Sequence, residues 1–180
     1  MEKELFGHKG AGPNGFHRGF AERTRSGVLF LDEVAELPTQ LQAKLLRLVE
    51  TREFNRLGGE QLMQFHGRIV CSTNCDLAAA IHDGRFREDL YYRINVMRVE
   101  LPSLKNRLDD IPWLMDLFFE QFRSGDHTLV RGFSTLAQEA ALEYSWPGNV
   151  RELRNRVKRA ATLANGEWIM PMDIDRKSVV

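Results

Sequence analysis

Two carboxylates, Asp32 and Glu33, follow directly on the apolar run Val28-Leu29-Phe30-Leu31. Such a run reads as a short strand buried on both faces, as in a parallel sheet, and its C-terminal end is the edge at which α/β sheets bind ligands. Core packing does not require two acids at that point. Metal-assisted nucleotide hydrolysis does: one carboxylate, here Asp32, holds hydrated Mg²⁺, and the next, Glu33, orients or deprotonates the attacking water. The alternative is that the pair merely marks a helix start after a buried strand. A second run, Arg68 to Ser72, ends in Thr73-Asn74. An amide there can hold a water or a γ-phosphate oxygen, although Asn74 could equally cap a helix beginning at Asp76. Arg87 and Arg93 stand six apart in Arg85-Phe86-Arg87-Glu88-Asp89-Leu90-Tyr91-Tyr92-Arg93. Either they lie on a solvated face, paired with Glu88 and Asp89, or they offer guanidinium groups to a phosphate of a neighbouring subunit. The latter contact is worth roughly a thousandfold or more in phosphoryl-transfer rates.

These residues need a scaffold, and the pattern supplies one. After Leu37-Pro38, residues Thr39 to Glu50 carry Leu41, Leu45, Leu46, Leu48 and Val49 at largely helical spacing. Glu53 to Leu57 and Gln61 to Phe65 flank Gly58-Gly59 and read as a hairpin, which leads into the strand before Asn74. A short helix is expected from Leu77 to Ile81, and a strand from Val96 to Leu101 closes the α/β part at Pro102. Composition then turns helical. Asp109-Asp110-Ile111-Pro112 has the form of a helix start, Ser134 caps a helix through Tyr144, and Asn149 caps a basic helix from Val150 to Ala164 that could enter a DNA groove. Trp168 to Ile174 is expected to pack back on these helices, with Asp175 to Val180 a frayed end. The expected division is an α/β part over 1–102, a helical lid over 103–174 and a disordered tail over 175–180. By contrast, Gly7 to Gly15 is a glycine-rich loop with no strand before it, so it does not read as a phosphate-binding loop. The linker Gly125 to Gly132 is a second loop.

A chain of 180 residues can bury roughly 70% of its unfolded surface and so form a real core. With 25 basic and 25 acidic residues there is no global field toward nucleic acid or an anionic membrane, and any anion site must be local. The two cysteines, Cys71 and Cys75, lack a second pair at metal-ligand spacing, which argues against zinc and for reduced thiols. No stretch is apolar enough to span a bilayer and Met1 to Leu5 is not a signal peptide, so a cytoplasmic location is expected.

Six blocks carry a resemblance: Glu4-Leu5-Phe6-Gly7-His8; Leu29 to Glu33; Gln42-Ala43-Lys44-Leu45-Leu46-Arg47; Thr73-Asn74; Gly84 to Arg93; and Trp146-Pro147-Gly148-Asn149-Val150-Arg151-Glu152-Leu153. In order and spacing, over about residues 4 to 174, the chain resembles the central AAA+ domain of sigma-54-dependent transcriptional activators. The resemblance implies an α/β P-loop NTPase-type parallel sheet with a C-terminal helical lid. It also implies a ring-forming ATPase, using ATP and Mg²⁺, that remodels sigma-54 RNA polymerase holoenzyme. By position, Asp32 and Glu33 look like the Walker B pair, with Asp32 on the metal. Asn74 looks like sensor I, Arg87 and Arg93 resemble arginine fingers acting across a subunit interface, and Arg151 resembles the lid's sensor II arginine.

Two departures shape the expectation. No lysine here takes the part of the P-loop lysine, so the phosphates' charge would go largely uncompensated and ATP would bind weakly or not at all. Without the strand that leads into a P-loop, the sheet should keep an unpaired edge and an exposed apolar face. The sigma-54 contact loop, usually Gly-Ala-Phe-Thr-Gly-Ala, reads Gly10-Ala11-Gly12-Pro13-Asn14-Gly15 here, and only Phe16 could stand in for its aromatic tip. Receiver and helix-turn-helix DNA-binding segments are not in the sequence. The competing readings are a nucleotide-free module that joins or poisons rings of intact relatives, or a remnant without activity.

Overall fold

The computed structural model describes residues 1–10, 15–123, 129–164 and 166–175. The chain divides into two units, Met1–Val99 and Glu100–Val180. The first unit opens with helix α1 (Glu2–Phe6), a two-residue pairing of β1 (His8–Lys9) with β2 (Phe16–His17), and helix α2 (Phe20–Thr24). Gly7 and Gly19 let two stretches of backbone touch beside this pairing: a Cβ on Gly19 would come within 2.3 Å of the Gly7 nitrogen. Phe16 belongs to the stem of the glycine-rich loop, under the Arg56 guanidinium at 4.2 Å, while residues 11–14 lie outside the described residues.

The Walker B-like run forms β3 (Val28–Leu31), followed by a 3₁₀ turn at Val34–Glu36 and helix α3 (Thr39–Thr51). The hairpin forms as β4 (Glu53–Asn55) against β5 (Leu62–Gln64). Then β6 (Arg68–Cys71) pairs with β3 in parallel, in the register Leu31 opposite Cys71. Helices α4 (Leu77–His82) and α5 (Glu88–Ile94) complete the unit. Leu29, Val34, Leu41, Leu45, Leu48, Phe54, Phe65, Phe86 and Leu90 form its core.

Two expectations for this unit are corrected. The strand β3 is buried on one face only: Leu29 is covered, whereas Val28 and Phe30 are 58% and 59% exposed. The same face of β6 leaves Val70 exposed. Among the described residues this sheet has two strands, β3 and β6. Residues 96–101 form no strand, and Val96, Met97, Val99 and Leu101 are 75–88% exposed. A strand exists only through a neighbour's hydrogen bonds, and β3 and β6 bond to each other.

The second unit packs α6 (Asp110–Phe122) against α8 (Asn149–Leu163), with β7 (Gly132–Phe133), α7 (Thr135–Glu143), β8 (Trp168–Ile169) and α9 (Pro171–Asp175) around them. Its core holds Leu104, Ile111, Met115, Phe119, Phe133, Trp146, Leu153, Val157 and Ile169. The Ser134 cap is as expected, its hydroxyl accepting from the Ala137 N–H. Ile169 and Ile174 pack back into the core, and apart from Asp175 the expected frayed end lies outside the described residues.

Asn149 does not cap α8. Its Oδ1 accepts from the Leu104 N–H at 2.7 Å, and Glu152 reaches back to the Gly148 N–H at 2.9 Å instead. The basic face of α8 is largely spoken for. Arg154 lies 4.9 Å over Phe122, and Arg156 lies 4.3 Å over Tyr144 while pairing with Glu152 at 2.7 Å. Guanidinium groups stacked on the unit's own aromatic rings are packing elements.

Burial raises the Glu152 carboxyl's pKa, but the Gly148 N–H, Arg156 and the Tyr144 hydroxyl together outweigh it and hold it below the ordinary glutamate range. A depressed folded-state pKa gives stability that is present above the unfolded value and lost as pH falls through the folded one. Acid titration is therefore expected to weaken this unit below the ordinary glutamate range. Glu152→Gln should remove that step, read as the pH dependence of chemical-denaturation midpoints.

Candidate functional site

Parallel pairing in this register sets Asp32 across from Ser72 at the C-terminal tips of β3 and β6. The two tips are laced together. The Ser72 hydroxyl donates to Asp32 Oδ1 at 2.5 Å, the Ser72 N–H donates to the Leu31 carbonyl, and the Val34 N–H donates to the Ser72 carbonyl at 2.9 Å. Glu33 adopts the left-handed region at φ 52°, a conformation that costs a non-glycine residue of order 1–3 kcal/mol and recurs at functional sites. From there its Oε2 accepts from the Asn74 N–H at 3.1 Å. Asp32, Glu33 and Asn74 thus share one sheet edge, tied by main-chain bonds between the strand tips and by the Asp32 and Glu33 carboxylates.

Asn74 is free for this position because it does not cap α4. Asp76 does, accepting from the Ala78 and Ala79 N–H groups. The Asn74 amide oxygen instead receives the Cys75 thiol at 3.3 Å. Cys71 and Cys75 are both free thiols, and burial pushes Cys71 up to about 11, which keeps it protonated and unreactive.

Arg87 and Arg93 sit at the two ends of α5. Arg87 is its N-cap residue and pairs in bidentate fashion with Asp89, at 2.9 Å and 2.6 Å. That hydrogen bonding lowers the Asp89 pKa and raises that of Arg87. Arg93 pairs with Glu50 of α3 at 2.8 Å. Both ion pairs are solvent-exposed and therefore weak. Arg151 lies in the first turn of α8 in the second unit and is exposed.

Two contributors escaped the reading of the sequence. Ser72 was legible only through strand register. Gln42, with no exposed surface, stands where the apolar face of α3 calls for a leucine.

Hard oxygen donors of this kind suit Mg²⁺, which takes one or two carboxylates and completes its shell from phosphates and water. Asp32 Oδ2 has no hydrogen bond among the described residues, and no group of three or more His, Cys, Asp or Glu side chains forms a dedicated cage there. The donor set is of the kind a hard divalent cation takes from one or two carboxylates.

The sigma-54 interaction domain family matches residues 1–100, and the AAA+ ATPase lid domain family matches residues 105–179. The chain belongs to the sigma-54 interaction family. Its α/β unit and its helical unit are this family's AAA+ architecture, including the parallel strands. The transcriptional regulatory protein ZraR of Escherichia coli (strain K12) is 42% identical over 177 residues, covering 97% of this chain and 40% of ZraR. The crystal structure of NtrX from Brucella abortus superposes with a TM-score of 0.87 at 37% identity, over 94% of this chain and 40% of that one. NtrX in complex with ATP superposes at 0.85, with 35% identity, over 97% of this chain and 40% of that one. This sigma-54 interaction domain thus spans about 40% of the length of such relatives. No helix among the described residues is long and apolar enough to cross a membrane.

Proposed function

We propose that the chain carries the hydrolytic edge, the trans-acting arginines and the lid of an ATPase that remodels sigma-54 RNA polymerase holoenzyme. The observation that carries this is the laced pair of strand tips, which fixes two carboxylates and an asparagine at one sheet edge. ATP with Mg²⁺ supplies the phosphoryl group and the divalent charge. Asp32 would hold the metal's hydration shell through its uncommitted oxygen. Glu33, released from the Asn74 N–H, would orient the water and take its proton, and the Asn74 amide would meet the γ-phosphate. Arg87 and Arg93 would leave Asp89 and Glu50 for a phosphate on a neighbouring subunit, and Arg151 would reach nucleotide from the lid. Support comes from the family match and from relatives that are transcriptional regulators.

Calorimetric titration of the chain with Mg-ATP, beside Asp32→Ala, tests the carboxylate edge. Weak, Mg²⁺-dependent heat that Asp32→Ala removes is the expected result. No heat from the wild type overturns the edge as a nucleotide site working in this chain alone, and leaves the trans role of the arginines as the reading to test.

A further inference from the structure

Gln42 is fully buried and each of its polar atoms is used across a long sequence separation. Its Nε2 donates to the Leu37 carbonyl at 2.7 Å and to the Arg85 carbonyl at 2.9 Å, and its Oε1 accepts from the Arg87 N–H at 2.9 Å. One amide thereby ties three backbone points. Leu37 closes the turn that begins just after Glu33, while Arg85 and Arg87 frame the entry to α5. The leucines beside it on α3 pack in the same core as Phe86 and Leu90, which could hold α5 against α3 with no polar contact at all. Burying an amide among them is unfavourable unless every donor and acceptor is met, so what it adds is a fixed backbone position.

We infer that Gln42 is a positioning residue for Arg87: its side-chain amide sets the backbone from which the Arg87 guanidinium projects and couples it to the segment that carries Asp32 and Glu33. Arg87 is the N-cap of α5, so its N–H lies outside the helix's own bonding and is satisfied by Gln42. Without that bond the residue can rotate about its own φ and ψ, and a displacement of about 1 Å in a catalytic group can cost about a hundredfold. The inference rests on the proposed trans role of Arg87.

The test pairs two measurements on the full chain, with Gln42→Met as the volume-conserving variant that removes the amide. In the first, amide hydrogen exchange in the chain alone is expected to show the Arg87 N–H protected in the wild type and about tenfold more open in Gln42→Met. The Leu45 and Leu48 amides should be unchanged, reporting an intact α3. In the second, the chain is mixed with ZraR in which the residues aligned with Arg87 and Arg93 are alanine. Wild-type chain is expected to restore ATP hydrolysis. Gln42→Met should lower the restored kcat about tenfold at unchanged KM for ATP. Rescue by Gln42→Met equal to wild type, or an Arg87 amide indifferent to the substitution, overturns the inference. No rescue by the wild-type chain despite a protected Arg87 amide overturns the trans reading, and the inference with it.

Discussion

On the proposed trans role, alanine at Arg87 is expected to abolish the chain's ability to restore ATP hydrolysis to ZraR carrying alanine at the positions aligned with Arg87 and Arg93, a drop of roughly a thousandfold in turnover. A guanidinium placed against the transferring phosphoryl group neutralises charge that grows in the transition state, and in a water-poor interface that contribution is large. In the isolated chain the same group is engaged by Asp89 on the surface, where solvent screens the pair and it adds little to stability. The substitution should therefore leave the thermal melting curve nearly unchanged while removing the rescue. Arg87→Lys should recover little, since a point charge cannot reproduce the planar fork that holds Asp89 in bidentate fashion. Asp89→Ala frees the guanidinium and is expected to match or exceed the wild type. A rescue undiminished by Arg87→Ala would place the trans-acting charge elsewhere, Arg93 being the next to test.

The second large effect is structural and belongs to the helical unit. Trp146 is buried among α7 and α8, donates its indole N–H to the Ala141 carbonyl at 2.7 Å, and meets Tyr144 edge-on at 5.0 Å with Arg156 over its ring. It also sits at φ 46°, a conformation a bulky residue holds only because the surrounding packing compels it. Trp146→Ala should cost about 3–5 kcal/mol through lost transfer energy and the cavity left behind. A unit of this size has a total stability of roughly 4–12 kcal/mol, so the variant should melt at least ~12 °C lower or be unfolded at room temperature. Trp146→Phe keeps a ring but leaves the Ala141 carbonyl without its donor, and should cost about 1–3 kcal/mol. Near-ultraviolet circular dichroism followed against temperature reads both. A fall of under about 1 kcal/mol in Trp146→Ala would show that the ring is not the keystone its burial indicates.

The hydrophobic periods were legible from residues alone, and so were α3, the β4–β5 hairpin, β6 and α4. Each is set by local spacing and by turn residues such as Gly58-Gly59, and local effects survive whatever the rest of the chain does. The strand expected at Val96–Leu101 failed for the opposite reason: alternation gives a segment the capacity to pair, and only a neighbour turns that capacity into a strand. The caps divided in the same way. Ser134 caps within three residues, whereas Asn149 gives its oxygen to Leu104, a partner 45 positions away.

By itself the sequence determined the chemical types: two acids at the end of an apolar run, an asparagine at the end of another, and arginines on one short helix. It also carried the family in the order of its blocks. Tertiary structure decided which of these meet. Strand register brought Ser72 to Asp32 and the Asn74 N–H to Glu33, and a buried amide on α3 met the backbone of Arg87. The physical reason is range. Propensity and periodicity act over a few residues, while hydrogen-bond partners forty positions apart are chosen by how strands and helices dock, and docking depends on the whole core.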